Sequence, residues 1–183
     1  SLVGSEMCIR DREHTERIYI MEYIELSPED KAGICEMSKM ATAIVREHFD
    51  PLIGKEQNDY MLEKFQTEQA IAEQLKSGYH YFFVREENRN LGFLAFYPKK
   101  DVLYLSKFYL YKSERGKGYS HDMMTFVITN AKELKLNGIE LNVNKHNSAC
   151  RAYESLGFKI VRSEKNDIGN GFYMDDYVYR LDF

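Results

Sequence analysis

The sequence predicts a mixed α/β or α+β sheet with helices on both faces, and three observations carry that expectation. Strand patterns and helical periods alternate from Tyr19 to Leu181. The run Val102 to Tyr111 is apolar on both faces, as a central strand covered from two sides must be. A strand-helix-strand-helix-strand order then follows an antiparallel meander. With 183 residues there is room for one domain, placed over residues 18–183.

Each element has its own local reason. Tyr19 to Glu25 reads as the first strand, and Ser27-Pro28-Glu29-Asp30 supplies an N-cap, a first-turn proline and acidic residues for a helix dipole. Ile34, Met37, Ala41, Ile44, Val45 and His48 recur at helical spacing, so an amphipathic helix runs to Asp50-Pro51 with His48 closing its apolar stripe. His48 there is a core-edge residue or a helix-end hydrogen-bonding group. Between Lys55 and Ser77 two short helices are expected, separated at the N-cap Thr67 and stopped by Gly78. Tyr79 to Arg85 and Leu91 to Tyr97 form a hairpin around Glu86 to Asn90. Tyr119 to Leu136 carries Met124, Val127, Ala131 and Leu134 at helical spacing and ends at Asn137-Gly138. Ile139, Leu141 and Val143 alternate as a strand, Ser148 to Leu156 is a helix closed by Gly157, and Phe158 to Ser163 and Phe172 to Leu181 close the sheet.

Residues 1–17 are expected to be a disordered or non-native tail. The wording SLVGSEMCIRDR has no apolar period and resembles translated sequencing-adapter text.

Composition excludes several classes of function. A net charge of −4 and a pI of about 5.8 argue against a nucleic-acid binder, which needs an excess of Lys and Arg. No apolar run reaches the roughly 18 residues of a membrane span, so no membrane partner is expected. Cys8, Cys35 and Cys150 form no CxxC pair, which fits a reducing cytoplasm, and the five histidines form no metal-ligand spacing.

The richest local signal is Glu114-Arg115-Gly116-Lys117-Gly118-Tyr119-Ser120, between the central strand and the longest helix. Glycines there allow positive φ and close approach, and they leave backbone N–H donors at a helix N-terminus. Such a loop binds phosphate, and Arg115 and Lys117 add positive charge. The spacing is wrong for a P-loop, since Tyr111 stands where its first glycine belongs. It is wrong for a dinucleotide fingerprint, which would need glycine at His121, and for a nucleophile elbow, which would need glycine at Asp122.

Together with Asn147 to Phe158, a helix whose Tyr153 precedes a Gly-Phe stop, the loop resembles the GNAT superfamily of acyl-CoA-dependent N-acetyltransferases. The resemblance implies a GNAT fold: a mixed, mostly antiparallel twisted sheet of six to seven strands. It also implies acetyl-CoA as donor, its pyrophosphate cradled by Arg115, Gly116, Lys117, Gly118, Tyr119 and Ser120. Ser120 replaces the family's last glycine or alanine. The family's splay between central strand and the next would let Phe108, Tyr109 and Leu110 pair with pantetheine through their main chains.

Tyr153 is then the general acid that protonates the leaving thiolate, because a phenol is protonated at neutral pH. Asn147 either caps its helix or touches the cofactor, since the motif around it is one residue short. The strand glutamate of many relatives is missing from Leu105-Ser106-Lys107-Phe108. A water chain on Ser106 or a base from another segment must serve, and Lys107 reads as a snorkelling or paired side chain. Phe49 to Leu75 and Gly171 to Asp176 are similar to bacterial polyamine and diamine acetyltransferases, with Asp175 and Asp176 attracting an ammonium. The expected partner is a small-molecule or protein amine, and the expected assembly a monomer or homodimer. The competing class is a non-catalytic acyl-CoA-binding sensor or regulatory module of the same fold.

Overall fold

A computed structural model describes residues 2–8 and 19–183, with side chains from Ile20 onward. In chain order the elements are β1 (Leu2–Cys8), β2 (Tyr19–Glu25), α1 (Lys31–Ile53), α2 (Lys55–Phe65), α3 (Glu68–Lys76), β3 (His80–Glu86), β4 (Arg89–Lys99), β5 (Val102–Leu110), α4 (Tyr119–Glu133), β6 (Gly138–Asn144), α5 (Ala149–Ser155), β7 (Lys159–Gly169) and β8 (Phe172–Asp182). One sheet of order β1-β2-β3-β4-β5-β6-β8-β7 contains every strand among the described residues, and β5–β6 is its parallel pair there. The strands from residue 19 onward match the six to seven expected. Of the stretch 1–17, residues 2–8 form β1, antiparallel to β2 at the sheet edge, and the rest lies outside the described residues. No helix among the described residues is long and apolar enough to cross a membrane.

Alternation along the strands builds a core on each face. Phe82 and Val84 point with Tyr23, Leu94 and Phe96 toward α4, where Tyr23 and Phe126 stack at 4.0 Å. Tyr81, Phe83, Phe93 and Ala95 face α1 and α3, against Met37, Ala41, Ile44 and Ile71. The β3–β4 turn is tighter than the sequence suggested. Glu86 opposes Arg89, and Glu87 and Asn88 both take positive φ, as a two-residue hairpin with right-handed twist requires.

Two helix ends differ from expectation. Asp30, rather than Ser27, caps α1 by accepting from Gly33 N at 2.9 Å, while the Ser27 hydroxyl is bound to Glu29. The helix also runs through Pro51 to Ile53 and stops at Gly54, whose φ is +87°. Asn58, buried in α2, donates to Asp50 Oδ1 at 2.7 Å and to Val45 O at 3.3 Å, which folds α2 back against α1. The closing hairpin is longer than predicted, because β7 continues to Gly169 before a positive-φ turn through Gly171. Leu134 lies past the last turn of α4 and is exposed.

Gly92 pairs with Leu110 at the end of β5, and a Cβ there would overlap the Tyr109 carbonyl oxygen. Gly92→Ala forces the strands apart and is expected to cost about 1–3 kcal/mol in a denaturant melt, as overpacking does. Unchanged stability would mean that the β4–β5 pairing yields easily.

Candidate functional site

A one-residue mismatch in β5 creates the site. Ala95 opposes Lys107 but Phe96 opposes Leu105, so Ser106 is the extra residue of a β-bulge. The parallel ladder to β6 stops just before it, at Tyr104↔Glu140. Beyond that point β5 stays paired with β4 as far as Leu110, and β6 with β8 as far as Asn144↔Asp176. The facing edges therefore diverge and bound a cleft of about 590 Å³. At its root the Tyr104 hydroxyl donates to Asn142 Oδ1 at 2.8 Å, tying the strands where they part.

The glycine loop closes one end. Gly116 and Gly118 have φ of +74° and +84°, and Gly118 caps α4 with no side-chain acceptor for the first-turn N–H groups. An ionic network around two buried carboxylates fixes the loop from below. Glu114 pairs with Arg89 and, at 3.2 Å, with Lys117, while Tyr119 Oη donates to buried Glu86 at 2.5 Å. Arg115 Nε and Nη2 each lie 3.3 Å from Leu110 O. Arg115, Gly116, Gly118, Tyr119 and Ser120 line the cleft; Lys117, turned to Glu114, does not.

Phe108, Tyr109 and Leu110 line the wall, and Tyr153 on α5 lies opposite, packed on the rings of Phe108, Phe158 and Tyr179. Burial, then the neighbouring Tyr109 and Cys150, push the Tyr153 phenol above its ordinary range, so it stays protonated. Asn147 Oδ1 accepts from Ala149 N at 2.9 Å and lies 3.2 Å from His48 Nε2. Asn147 thus caps the start of α5 and also lines the cleft. His48 reaches the cleft because the apolar stripe of α1 runs past the core edge. Burial, then Arg115, lower its pKa against the bond to Asn147.

The other end is an aromatic chamber walled by Phe65, Tyr79, Tyr97, Tyr104 and Tyr109. Its roof is α2 bound to the β7–β8 hairpin: Tyr60 Oη and Lys64 Nζ donate to Ile168 O at 2.7 and 2.8 Å, and Gln57 Nε2 to Tyr173 O at 2.9 Å. The acidic pair divides. Asp176 is buried and lines the chamber, whereas Asp175 sits outside it, 3.1 Å from Lys145. Burial raises the Asp176 carboxyl, against a weak bond from Asn142 Nδ2 at 3.4 Å. Ser106 and Lys107 also line the chamber. The Lys107 ammonium is 5.8 Å from the Phe65 ring centre, and burial lowers its pKa to about 8. Sequence reasoning missed the placement of Lys107 in the chamber because the bulge that resets the face of the strand leaves no mark in the residue pattern.

A family model described as an acetyltransferase (GNAT) domain matches residues 49–179, well over half of the chain. A search of the curated proteins finds no match. Among solved structures, the PaiA N-acetyltransferase from Thermoplasma acidophilum in complex with coenzyme A superposes with a TM-score of 0.68 at 14% identity, over 89% of this chain and 99% of that one. A GCN5-related N-acetyltransferase from Rhodopseudomonas palustris gives 0.71 at 13% identity, over 88% and 94%. The ribosomal-protein-S18-alanine N-acetyltransferase from Escherichia coli gives 0.61 at 17%, over 88% and 93%. At these identities the likeness is one of fold.

The His48 environment is testable by titration. Its folded pKa lies below the unfolded value of about 6.5, so its contribution to stability is complete above that value and is lost as pH falls through the folded one. His48→Gln is expected to flatten the stability–pH curve in that window. Arg115→Gln is expected to move the His48 resonance upward in an NMR titration, and an unmoved resonance would remove Arg115 from its surroundings.

Proposed function

The chain belongs to the GNAT acetyltransferase family, and on that premise we propose that it transfers an acetyl group from acetyl-CoA directly to the nitrogen of a small primary amine. The observation that carries the reading is that one cleft collects the glycine loop, the diverging edge of β5 and the Tyr153 phenol. In this reading the first-turn N–H groups of α4 and the Arg115 guanidinium hold the CoA pyrophosphate. Main-chain groups along Phe108 to Leu110 that face the cleft rather than β4 hold the pantetheine arm, with Asn147 beside it. The thioester then lies near the bulge at Ser106, where the strands part.

The neutral amine attacks the thioester carbon, a C–N bond forms as C–S breaks, and the proton shed by the nitrogen passes to Asp176, directly or through water. The thiolate takes the proton of Tyr153, which burial keeps in its donor form. Asp176 is the carboxylate available to the acceptor's ammonium inside the chamber, and a polyamine is one member of the class it would receive. The test is release of CoA thiol with mass spectrometry of products across amines, amino acids, polyamines and peptides. Binding of acetyl-CoA without turnover of any amine would overturn the proposal in favour of a sensor.

Two variants examine the parts separately. Saturating acetyl-CoA at a hundredfold excess over Kd is expected to add about 2.7 kcal/mol to the stability of the parent. Gly118→Val should abolish this shift, because φ of +84° excludes a β-branched residue without strain. A parent melt unmoved by acetyl-CoA would refute the loop assignment.

Tyr153→Phe keeps the ring packing and removes the proton. It is expected to lower the single-turnover rate about a hundredfold to ten-thousandfold with acetyl-CoA affinity retained. An unchanged chemical rate would make Tyr153 a packing residue.

A further inference from the structure

Lys107 is the charge in the chamber that amine transfer does not use. Two cationic side chains line the cleft, Arg115 and Lys107. Arg115 rests on Leu110 O, whereas Lys107 has no oxygen acceptor among the described residues, only the face of Phe65. An ammonium drawn out of water without an acceptor is costly, and one ring at 5.8 Å offsets little of that. Burial is the sole cause of its lowered pKa, and no carboxylate among the described residues forms an ion pair with it. Asp176, on the β8 side of the same chamber, is perturbed by Glu164, Asp175 and Lys145 but not by Lys107. The chamber therefore presents two opposite charges, a buried Asp176 and a half-buried Lys107, between aromatic walls. His48, the other cleft-lining group with a lowered pKa, belongs to the other end, at Asn147.

We propose that the acceptor is an aminocarboxylate, whose carboxylate pairs with the Lys107 ammonium while its amine lies toward Asp176. A bipolar substrate satisfies both charges, and its short carbon chain fills the space between the tyrosines. A polyamine would set its second ammonium against Lys107, and like charges at short range in a low-dielectric chamber repel. The inference rests on the amine-acetylation reading and names its substrate class.

The test uses the full chain with acetyl-CoA and matched acceptors: β-alanine against propylamine, γ-aminobutyrate against butylamine, and spermidine as the cationic contrast. The parent is expected to prefer each aminocarboxylate by about tenfold to a hundredfold in kcat/KM, the usual worth of a charge-assisted hydrogen bond. Lys107→Gln should erase that ratio through KM for the aminocarboxylate, and Lys107→Arg should restore most of it. Equal kcat/KM within each pair for the parent, faster turnover of spermidine, or a preference that survives Lys107→Gln would overturn the proposal. So would a Lys107→Gln effect confined to KM for acetyl-CoA, which would assign the ammonium to the donor. Failure of the underlying reading looks different: acetyl-CoA binds and no amine of either kind is acetylated.

Discussion

Two parallel neighbours that separate in mid-sheet set the terms for the rest of the structure. Backbone N–H and C=O groups in a protein interior need partners, and β5 and β6 stop supplying them to each other after Tyr104↔Glu140. The bulge at Ser106 turns β5 away, and the Tyr104–Asn142 bond stops the break from running farther down the sheet. The opening survives because both strands are anchored on their other sides, β5 to β4 and β6 to β8, so neither can close the gap without breaking a full ladder. A gap of this kind is a ready-made strand vacancy, and an extended ligand arm with amide groups fits it by the chemistry of sheet extension.

The loop at the end of β5 depends on the same constraint. Arg115 folds back onto Leu110 O, the last residue of the strand, so the position of the loop follows the path of β5. Beneath it, Glu114 and Glu86 are buried acids held by Arg89, Lys117 and Tyr119. Breaking one partner of such a network leaves a buried charge uncompensated, which is costly. Lys117 is thus committed to the loop's foundation, and Arg115 and the backbone donors face the cleft. The division of labour between two cations two residues apart follows from which of them the buried carboxylate captures.

The sheet, its helices and the loop were legible in the sequence because each rests on a local rule. Thr67 accepts from Ala70 N as an N-cap should, and the apolar stripes of α1 and α4 meet the two faces of β3 and β4. What lay hidden was long-range. Ser27 and Asp30 are both good caps, and only the hydrogen bond from Ser27 to Glu29 shows why Asp30 takes the position. Asp175 and Asp176 are adjacent in sequence, yet strand alternation puts one in the chamber and the other on Lys145. The bulge that brings Lys107 into the site is an event of pairing, so no single strand records it.

The lowered pKa of Lys107 bears on how a cleft without a strand glutamate would obtain a neutral amine. The chamber disfavours charge, and a primary amine held in it has a pKa of about 8 because burial alone penalises its ammonium form. An acceptor amine seated among the same tyrosines meets the same penalty unless a carboxylate offsets it. Asp176 can offset it on entry, but its own pKa is raised by that burial, which weakens its hold on the proton's charge and makes it a better acceptor of the proton itself. Desolvation therefore moves amine and carboxylate toward each other on the pH scale, which makes proton transfer between them less uphill than in water. In the proposed reaction this lightens the task of a dedicated base on β5, and Tyr153, which burial keeps protonated, is in the form that can give a proton to a departing thiolate.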